Sequence, residues 1–468
     1  MSAHPPNPEG SPRLYHVGTL VYTTSALLTV LFWMLLGDFC IQIMEQLPTS
    51  LVPLQLRWAS ASDAMIGFIT GSLPAVLGII LNPIVGLQSD GHRGPMGRRR
   101  PFLLMSTPVV VIALLGLGYA TPVAETVAHL TGAASVDAVK IGWIAACMLV
   151  FVVARTYMFQ VYQFLFVDVI PAEVMGKFIG CYRAVGALGA FVFHSYLFGK
   201  SETHTALIYV LSATLYGISF LLLIWKVREG DYPPPPPKKT LVQTMRGYFS
   251  ECFKDPFYLM VYSLCFFFWS AINPLWSFLV FFGTNPGKVA NYAPTLGLSL
   301  DDFGHVRGWC YLVQVPVYFL MGPLVDRFHP LRVGIVGMLL SSLTYFANFF
   351  FDHDKSSFTF WLILNFIAQA IYMGAYLAIL PRLLPREKYG QFFSANQIFG
   401  FAGVSLSPVL CGLLMQTLRD YRYIFVWCGA CTLAGFFTSC MLYRRWMALG
   451  GDEHYQPPGT TPGASGVN

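Results

Sequence analysis

Charged side chains are scarce in this sequence: Asp, Glu, Lys and Arg make up 11% of 468 residues, against 55% apolar residues. A soluble domain carries roughly 25% charged residues, so a water-facing surface over the length of this chain is excluded. Also missing are the charged n-region and cleavage site of a removable signal. The first twenty residues are polar and proline-rich, and the first apolar segment is expected to remain as a true span. The ten cysteines are scattered through apolar stretches. The one close pair, Cys428 and Cys431, falls within a helix and reads as two small packing residues, so neither a disulfide nor a metal is inferred. Only His194 among the histidines is expected at any depth, and no nucleophile or metal-ligand spacing accompanies it. That weighs against a membrane-embedded transferase or hydrolase and implies no cofactor. The net charge of +6 comes with no soluble domain to present it, so nucleic acid is not an expected partner.

What the chain does have is long apolar runs. A bilayer core of about 30 Å takes about 20 apolar residues per helix. Twelve spans are predicted, at 20–46, 63–88, 102–121, 140–167, 177–199, 204–226, 257–283, 305–325, 332–351, 358–380, 389–417 and 422–446. The predicted class is an all-α integral membrane protein in two six-helix halves, 20–226 and 257–446, with tails 1–19 and 447–468 and a linker at 227–256. Within the linker, Pro233 to Pro237 followed by Lys238 and Lys239 read as an extended, semi-rigid spacer. Of the 29 basic residues, nineteen fall on the N-terminal side of the spans, among them Arg386, Lys388, Arg444 and Arg445, seven on the opposite side and three within spans. This asymmetry places both termini and the linker in the cytoplasm. The short loops favour a bacterial inner membrane, with the lipid bilayer and a small molecule as partners and the chain as a monomer.

The halves carry related signals. Gly86 and Asp90 in GLQSD pair with Gly322 and Asp326 in GPLVD, followed by Arg327, and the run from Pro171 through Gly176 to Phe178 pairs with that from Pro385 through Gly390 to Phe392. Two parallel six-helix repeats about an axis along the membrane normal resemble the major facilitator superfamily, whose cavity is lined by spans 1, 4, 7 and 10. The loop from Gly86 and Asp90 to Gly97, Arg98, Arg99, Arg100 and Pro101 resembles the superfamily's loop between spans 2 and 3. Six residues between Asp90 and Gly97 resemble the sucrose transporters. Gly37-Asp38 resembles the glycoside, pentoside and hexuronide symporters, in which the span 1 Asp contacts sugar; the two span 2 acids of their sodium-coupled members are matched here by Gly78 and Asn82. Plant-type sucrose transporters carry an acid within span 4, where this chain has Arg155 and no carboxylate until Asp168. In physical terms, Gly86, Asp90, Gly97, Arg98, Arg99, Asp326 and Arg327 are gating candidates, because a Gly permits close helix approach and an acid beside a basic loop can make ion pairs that break on opening.

Independently of the resemblance, four spans carry polar or aromatic stripes. Asp38, Gln42 and Glu45 fall at i, i+4 and i+7 in span 1, and the same spacing holds Trp269, Asn273 and Trp276 in span 7 and Asn365, Gln369 and Tyr372 in span 10. Span 4 carries Arg155, Thr156, Gln160 and Gln163. Amides and indoles suit a neutral polyol, whose hydroxyls need donors and acceptors and whose C–H faces stack on rings. A charge at the bilayer centre costs roughly 2.5–3.5 kcal/mol on insertion scales, so Asp38 and Arg155 are expected to face the cavity and each other. The first expectation is a proton-coupled importer of a small glycoside, in which protonation of Asp38 or Glu45 frees Arg155. The alternative is an exporter or facilitator of an anionic or amphipathic solute, held by Arg155, Arg183 and Arg307.

Overall fold

The computed structural model describes residues 14–232, 252–285, 292–385 and 389–458. The proline run, Lys238 and Lys239, and the pair Arg386 and Lys388 lie outside the described residues. Where a polar tail is expected, the described residues begin with a hairpin, β1 Leu14–Val17 and β2 Leu20–Thr23, antiparallel with Val17 opposite Leu20. Gly18 turns it at φ +55°, a conformation glycine adopts without steric cost. Thr23 then caps span 1, its hydroxyl accepting from the Ala26 N–H at 3.4 Å.

Span 1 runs Thr24–Trp58 and span 2 Asp63–Gly91, each longer than expected. A π-helical turn at Leu47–Leu51 carries span 1 past Pro48 and Pro53, prolines that suggest a stop; a second lies at Phe68–Ser72 in span 2. Span 3 is Arg100–Gly118. The expected loop after it contains a helix, Ala120–Thr131, ended by Gly132 at φ +68°. Span 4 is Val136–Val169. Spans 5 and 6 form one helical stretch, Glu173–Lys226, with a third π turn at Phe193–Leu197 and a break at His204, whose φ of −127° and ψ of 31° leave the helix. Spans 7 to 12 are Pro256–Thr284, Leu300–Phe328, Pro330–Phe351, Lys355–Leu383, Tyr389–Leu418 and Tyr423–Ala448.

The packing repeats. In the first half span 3 lies against spans 4 and 6, span 1 against spans 5 and 6, and span 2 against span 4. Adding six to each number gives the packing of the second half: span 9 against 10 and 12, span 7 against 11 and 12, span 8 against 10. The two seams between halves, span 5 with span 8 and span 2 with span 11, are exchanged by the same operation. This is the two-half repeat expected from the paired motifs.

Both ends of the described chain meet one face. The Asp231 N–H donates to Thr19 Oγ1 at 2.8 Å, and the Tyr258 hydroxyl donates to the Pro458 carbonyl at 2.8 Å. On the opposite face the halves are fastened. Asp63, buried at the start of span 2, pairs with Arg57 and accepts from the hydroxyls of Tyr292 at 2.8 Å and Tyr421 at 3.4 Å. The Arg57 guanidinium also lies 4.6 Å from the Phe281 ring centre. Glycines let the backbones touch here: a Cβ on Gly67 would stand 2.6 Å from the Pro408 carbonyl oxygen, and one on Gly412 2.7 Å from that of Asp63.

A candidate solute and coupling site

Asp38, Gln42 and Glu45 share one face of span 1, but their surroundings differ. Gly37 admits Leu223 and the Tyr162 hydroxyl beside the helix, and Gly186 and Gly189 of span 5 press on Asp38 and Gln42. Asp38 is therefore fully buried. Neither of its oxygens accepts a well-aligned hydrogen bond, although Gln42 and Tyr182 lie beside it, and Arg183 of span 5 is the cation that acts on it.

The expected pairing of Asp38 with Arg155 gives way to another. Arg155 donates from Nε and Nη2 to the two oxygens of Glu45, at 2.6 and 2.8 Å, a bidentate link between spans 4 and 1. Seven residues separate Asp38 from Glu45, about 10 Å along the axis, and Tyr162 and Tyr182 fill the space around Asp38. The Arg155 and Glu45 side chains keep 34% and 16% of their surface exposed, so this pair is the wetted part of the stripe.

In span 4, Gln160 donates to Asn82 of span 2 at 3.1 Å, Gln163 lies beside the Tyr182 hydroxyl, and Thr156 is tied to the Val152 carbonyl at 2.7 Å. In span 7, Trp269 and Trp276 are half-buried and meet edge to face at 6.2 Å. Between them Asn273 turns a buried, unpartnered Oδ1 towards Gly71 of span 2.

Span 10 is arranged differently from the other three. Asn365, Gln369 and Tyr372 are buried within their own half. Asn365 donates to Thr344 at 3.0 Å, Gln369 donates to Asn365 Oδ1 at 2.5 Å and to the Tyr345 hydroxyl at 3.1 Å, and Tyr372 packs on Phe268 at 4.7 Å. A buried amide must satisfy its own donors, and span 9 supplies the acceptors. Sequence reading passes over the partners Tyr162, Tyr182, Thr344 and Tyr345. Their signal is a tyrosine or threonine in an apolar run, whose polar tip has to find a mate.

The loop between spans 2 and 3 is knitted into the first half. Asp90 accepts from Arg99 at 2.6 Å, while Arg98 and Arg99 both pair with Asp168 at the end of span 4, at 2.5 and 2.9 Å. The backbone N–H groups of Arg98, Arg99 and Arg100 donate to the carboxylate of Glu229 at 2.8 to 3.1 Å. Gly97, at φ +90°, is required there, because a Cβ would lie 2.7 Å from the Glu229 carboxyl carbon. Gly86 and Gly322, by contrast, have open space where a Cβ would stand. The Arg327 guanidinium lies 5.3 Å from the Phe328 ring centre; Asp326 belongs to span 8 by its backbone, and its side chain lies outside the described residues. A polar cavity of about 470 Å³ opens beside the loop, lined in part by Arg93, Gly97, Arg100, Arg228, Glu229 and Tyr232.

Residues 275–462 match the family model of the Major Facilitator Superfamily. A curated relative, the multidrug resistance protein MdtH of Salmonella choleraesuis, is 24% identical over 169 residues, which is 36% of this chain and 40% of that protein's length. Among solved structures, a nucleoside transporter superposes with a TM-score of 0.68 at 10% identity, covering 89% of this chain and 100% of its own. A D-xylose-proton symporter gives 0.63 at 16% identity, covering 88% and 96%. A bacterial homologue of the human lysosomal transporter Spinster, inward-facing and unoccupied, gives 0.62 at 15%, covering 90% and 98%. These solved structures share the fold of this chain, and the family match falls within residues 275–462.

Proposed function

We propose that this chain is a secondary transporter that carries a small sugar or glycoside together with a proton, its two halves rocking about a site lined by spans 1, 4 and 7. The observation that carries the reading is the part-exposed Arg155–Glu45 pair next to the buried, unbonded carboxylate of Asp38. Protonating the Glu45 carboxylate removes the charge that holds Arg155, so one proton loosens the link between spans 1 and 4. Asp38 is the second acid on the same helix face and takes part in the same exchange. Gln42, Gln160, Gln163 and Asn273 supply donors and acceptors for hydroxyl groups, and Trp269 and Trp276 supply ring faces for stacking. Asn365, Gln369 and Tyr372 stand behind this surface as the support of span 10. On the face of the termini, which we read from the charge asymmetry as cytoplasmic, Asp90 with Arg98 and Arg99 acts as a gate, with Asp326 and Arg327 in the equivalent place of the second half. One structure of the same fold is a D-xylose-proton symporter, which accords with this reading.

The test is uptake of labelled sucrose, maltose and related glycosides into vesicles holding the purified protein, with and without an inward proton gradient. Accumulation driven by the gradient is the expected result. No uptake of any glycoside by folded, inserted protein overturns the reading. The alternative, export of an anionic or amphipathic solute, draws support from the curated relative named a multidrug resistance protein, and competition by organic anions but not by sugars would favour it.

A further inference from the structure

Arg307 is the most conspicuous unexplained group in the molecule. It lies on span 8 and is 1% exposed, and its Nε and Nη1 have no hydrogen-bond partner. Among the described residues no carboxylate pairs with it. A guanidinium stays charged in any protein setting, and a buried charge is retained only when something pairs with it.

Its neighbours are short of partners too. Gly304, Arg307, Gly308 and Tyr311 share one face of span 8 by their i, i+3, i+4 and i+7 spacing, and that face meets span 5. Gly304 rests on the His194 carbonyl and Gly308 on the Ser195 hydroxyl, while Tyr311 stacks on the His194 ring at 5.4 Å. His194 is 1% exposed; its Nε2 is within 3.1 Å of Gln46 Oε1 in span 1, and its Nδ1 is unpartnered. Ser195 Oγ is buried and unpartnered as well. Because Nε2 donates to the Gln46 amide oxygen, Nδ1 of the neutral ring is an acceptor. The donors on this seam are therefore a fixed positive charge from the second half and a hydroxyl from the first, and no carboxylate among the described residues receives them.

We propose that this seam binds a small inorganic monovalent anion of halide size, held by Arg307 from the second half and by the Ser195 hydroxyl from the first. The glycine contacts and the surrounding rings of Phe191, Phe198 and Tyr311 crowd the seam, which favours a compact ion over an organic acid. Because the donors come from both halves, the ion also holds together the face on which the halves are fastened, and it does so independently of the transported solute.

The test is thermal unfolding of the purified full-length protein in chloride, bromide, acetate, sulfate and gluconate at equal ionic strength. Chloride and bromide are expected to raise the Tm by a few degrees over gluconate, as a ligand of the native state does, and Arg307→Gln is expected to abolish the difference. Equal Tm in all five salts overturns the site, and so does a halide effect that survives in Arg307→Gln. Stabilisation by acetate and not by halides overturns the assignment of the ion. Should Arg307→Gln fail to fold, bromide-soaked crystals of the unaltered protein decide the matter by anomalous scattering: a peak beside Arg307 is expected, and none there overturns it.

Discussion

Arg155 of span 4 grips Glu45 of span 1 by two hydrogen bonds, at 2.6 and 2.8 Å, and leaves Asp38, two turns away on the same face, without one. The two acids thus divide between a wet, paired position and a dry, unpaired one. A proton reaching Glu45 releases a specific link between two helices, whereas one reaching Asp38 changes the charge of a sealed space.

Glu45→Gln is expected to reduce gradient-driven accumulation sharply while leaving exchange. A charge-assisted hydrogen bond contributes about 1.5–3 kcal/mol, so accumulation should fall by roughly ten- to a hundredfold. Arg155→Lys should fall nearly as far, because a lysine cannot reproduce the bidentate geometry. Uptake against a gradient by Glu45→Gln at the parent level would remove Glu45 from the coupling step.

The Asp63 cluster is expected to set how tightly the halves close on the face away from the termini. Removing one partner of a buried ion pair costs about 3–5 kcal/mol, and the Arg57 and Asp63 side chains are 7% and 0% exposed. Asp63→Ala should therefore weaken this closure. The measurement is labelling of Ser277→Cys by an impermeant maleimide, since Ser277 is buried beside Thr70 at the same seam. Faster labelling in the Asp63→Ala background is expected; an unchanged rate means that the cluster does not hold the face shut.

The two glycines at the seam offer a steric version of the same experiment. A Cβ on Gly67 or Gly412 meets a backbone carbonyl at 2.6 or 2.7 Å, a contact that side-chain rotation cannot relieve. Gly67→Ala and Gly412→Ala should each lower transport and increase labelling from that face. Gly142→Ala, where a Cβ would meet nothing within 4 Å, is the control. It should be neutral or stabilising by about 0.5–1 kcal/mol, the usual advantage of alanine in a helix.

Stability should depend on pH through two groups outside the spans. Both oxygens of Asp352 are buried and unbonded, and burial, with Asp354 nearby, pushes its pKa up to about 8. The folded state therefore binds this proton more tightly than the unfolded chain, and stability declines as pH rises from 3.8 towards 8. His329 stacks on Trp446 at 4.3 Å; burial, with the Arg382 charge, pushes its pKa down to about 4. Its contribution is present above pH 6.5 and is lost as pH falls towards 4. Between pH 6.5 and 8 His329 is past its transition and Asp352 still contributes, so the Tm should fall over that window and the fall should be smaller in Asp352→Asn. An undiminished decline in Asp352→Asn would assign the slope to another group.

Much of the architecture is legible in the sequence because a bilayer selects by run length. Spans 7, 9 and 12 lie within two residues of their expected ends, at Pro256–Thr284, Pro330–Phe351 and Tyr423–Ala448. The missed features have local causes. The prolines at 48 and 53 suggest a stop that a widened turn accommodates, and the hairpin before span 1 is too short for its alternation to stand out. The site is less legible than the fold. Spacing assigns a residue to a face but does not tell which neighbour fills the space opposite, so Arg155 matches Asp38 in type and Glu45 in position. The Asp63 cluster is invisible in one dimension, since Asp63 and Tyr292 are 229 residues apart.

Among the described residues the three π turns, at Leu47–Leu51, Phe68–Ser72 and Phe193–Leu197, all belong to the first half. Each interpolates a residue and so rotates everything beyond it by about 100° relative to an unbroken cylinder. Span 1 is thus two rods of different phase. On its outer rod, Gln55 donates to the Leu117 carbonyl at 3.0 Å and Arg57 is aimed at Asp63, directions that a single helical wheel drawn through Asp38 and Glu45 assigns to other sectors. A mutational scan of this span plotted on one wheel will scatter, and the same data plotted on two wheels, divided at Pro48, will sort.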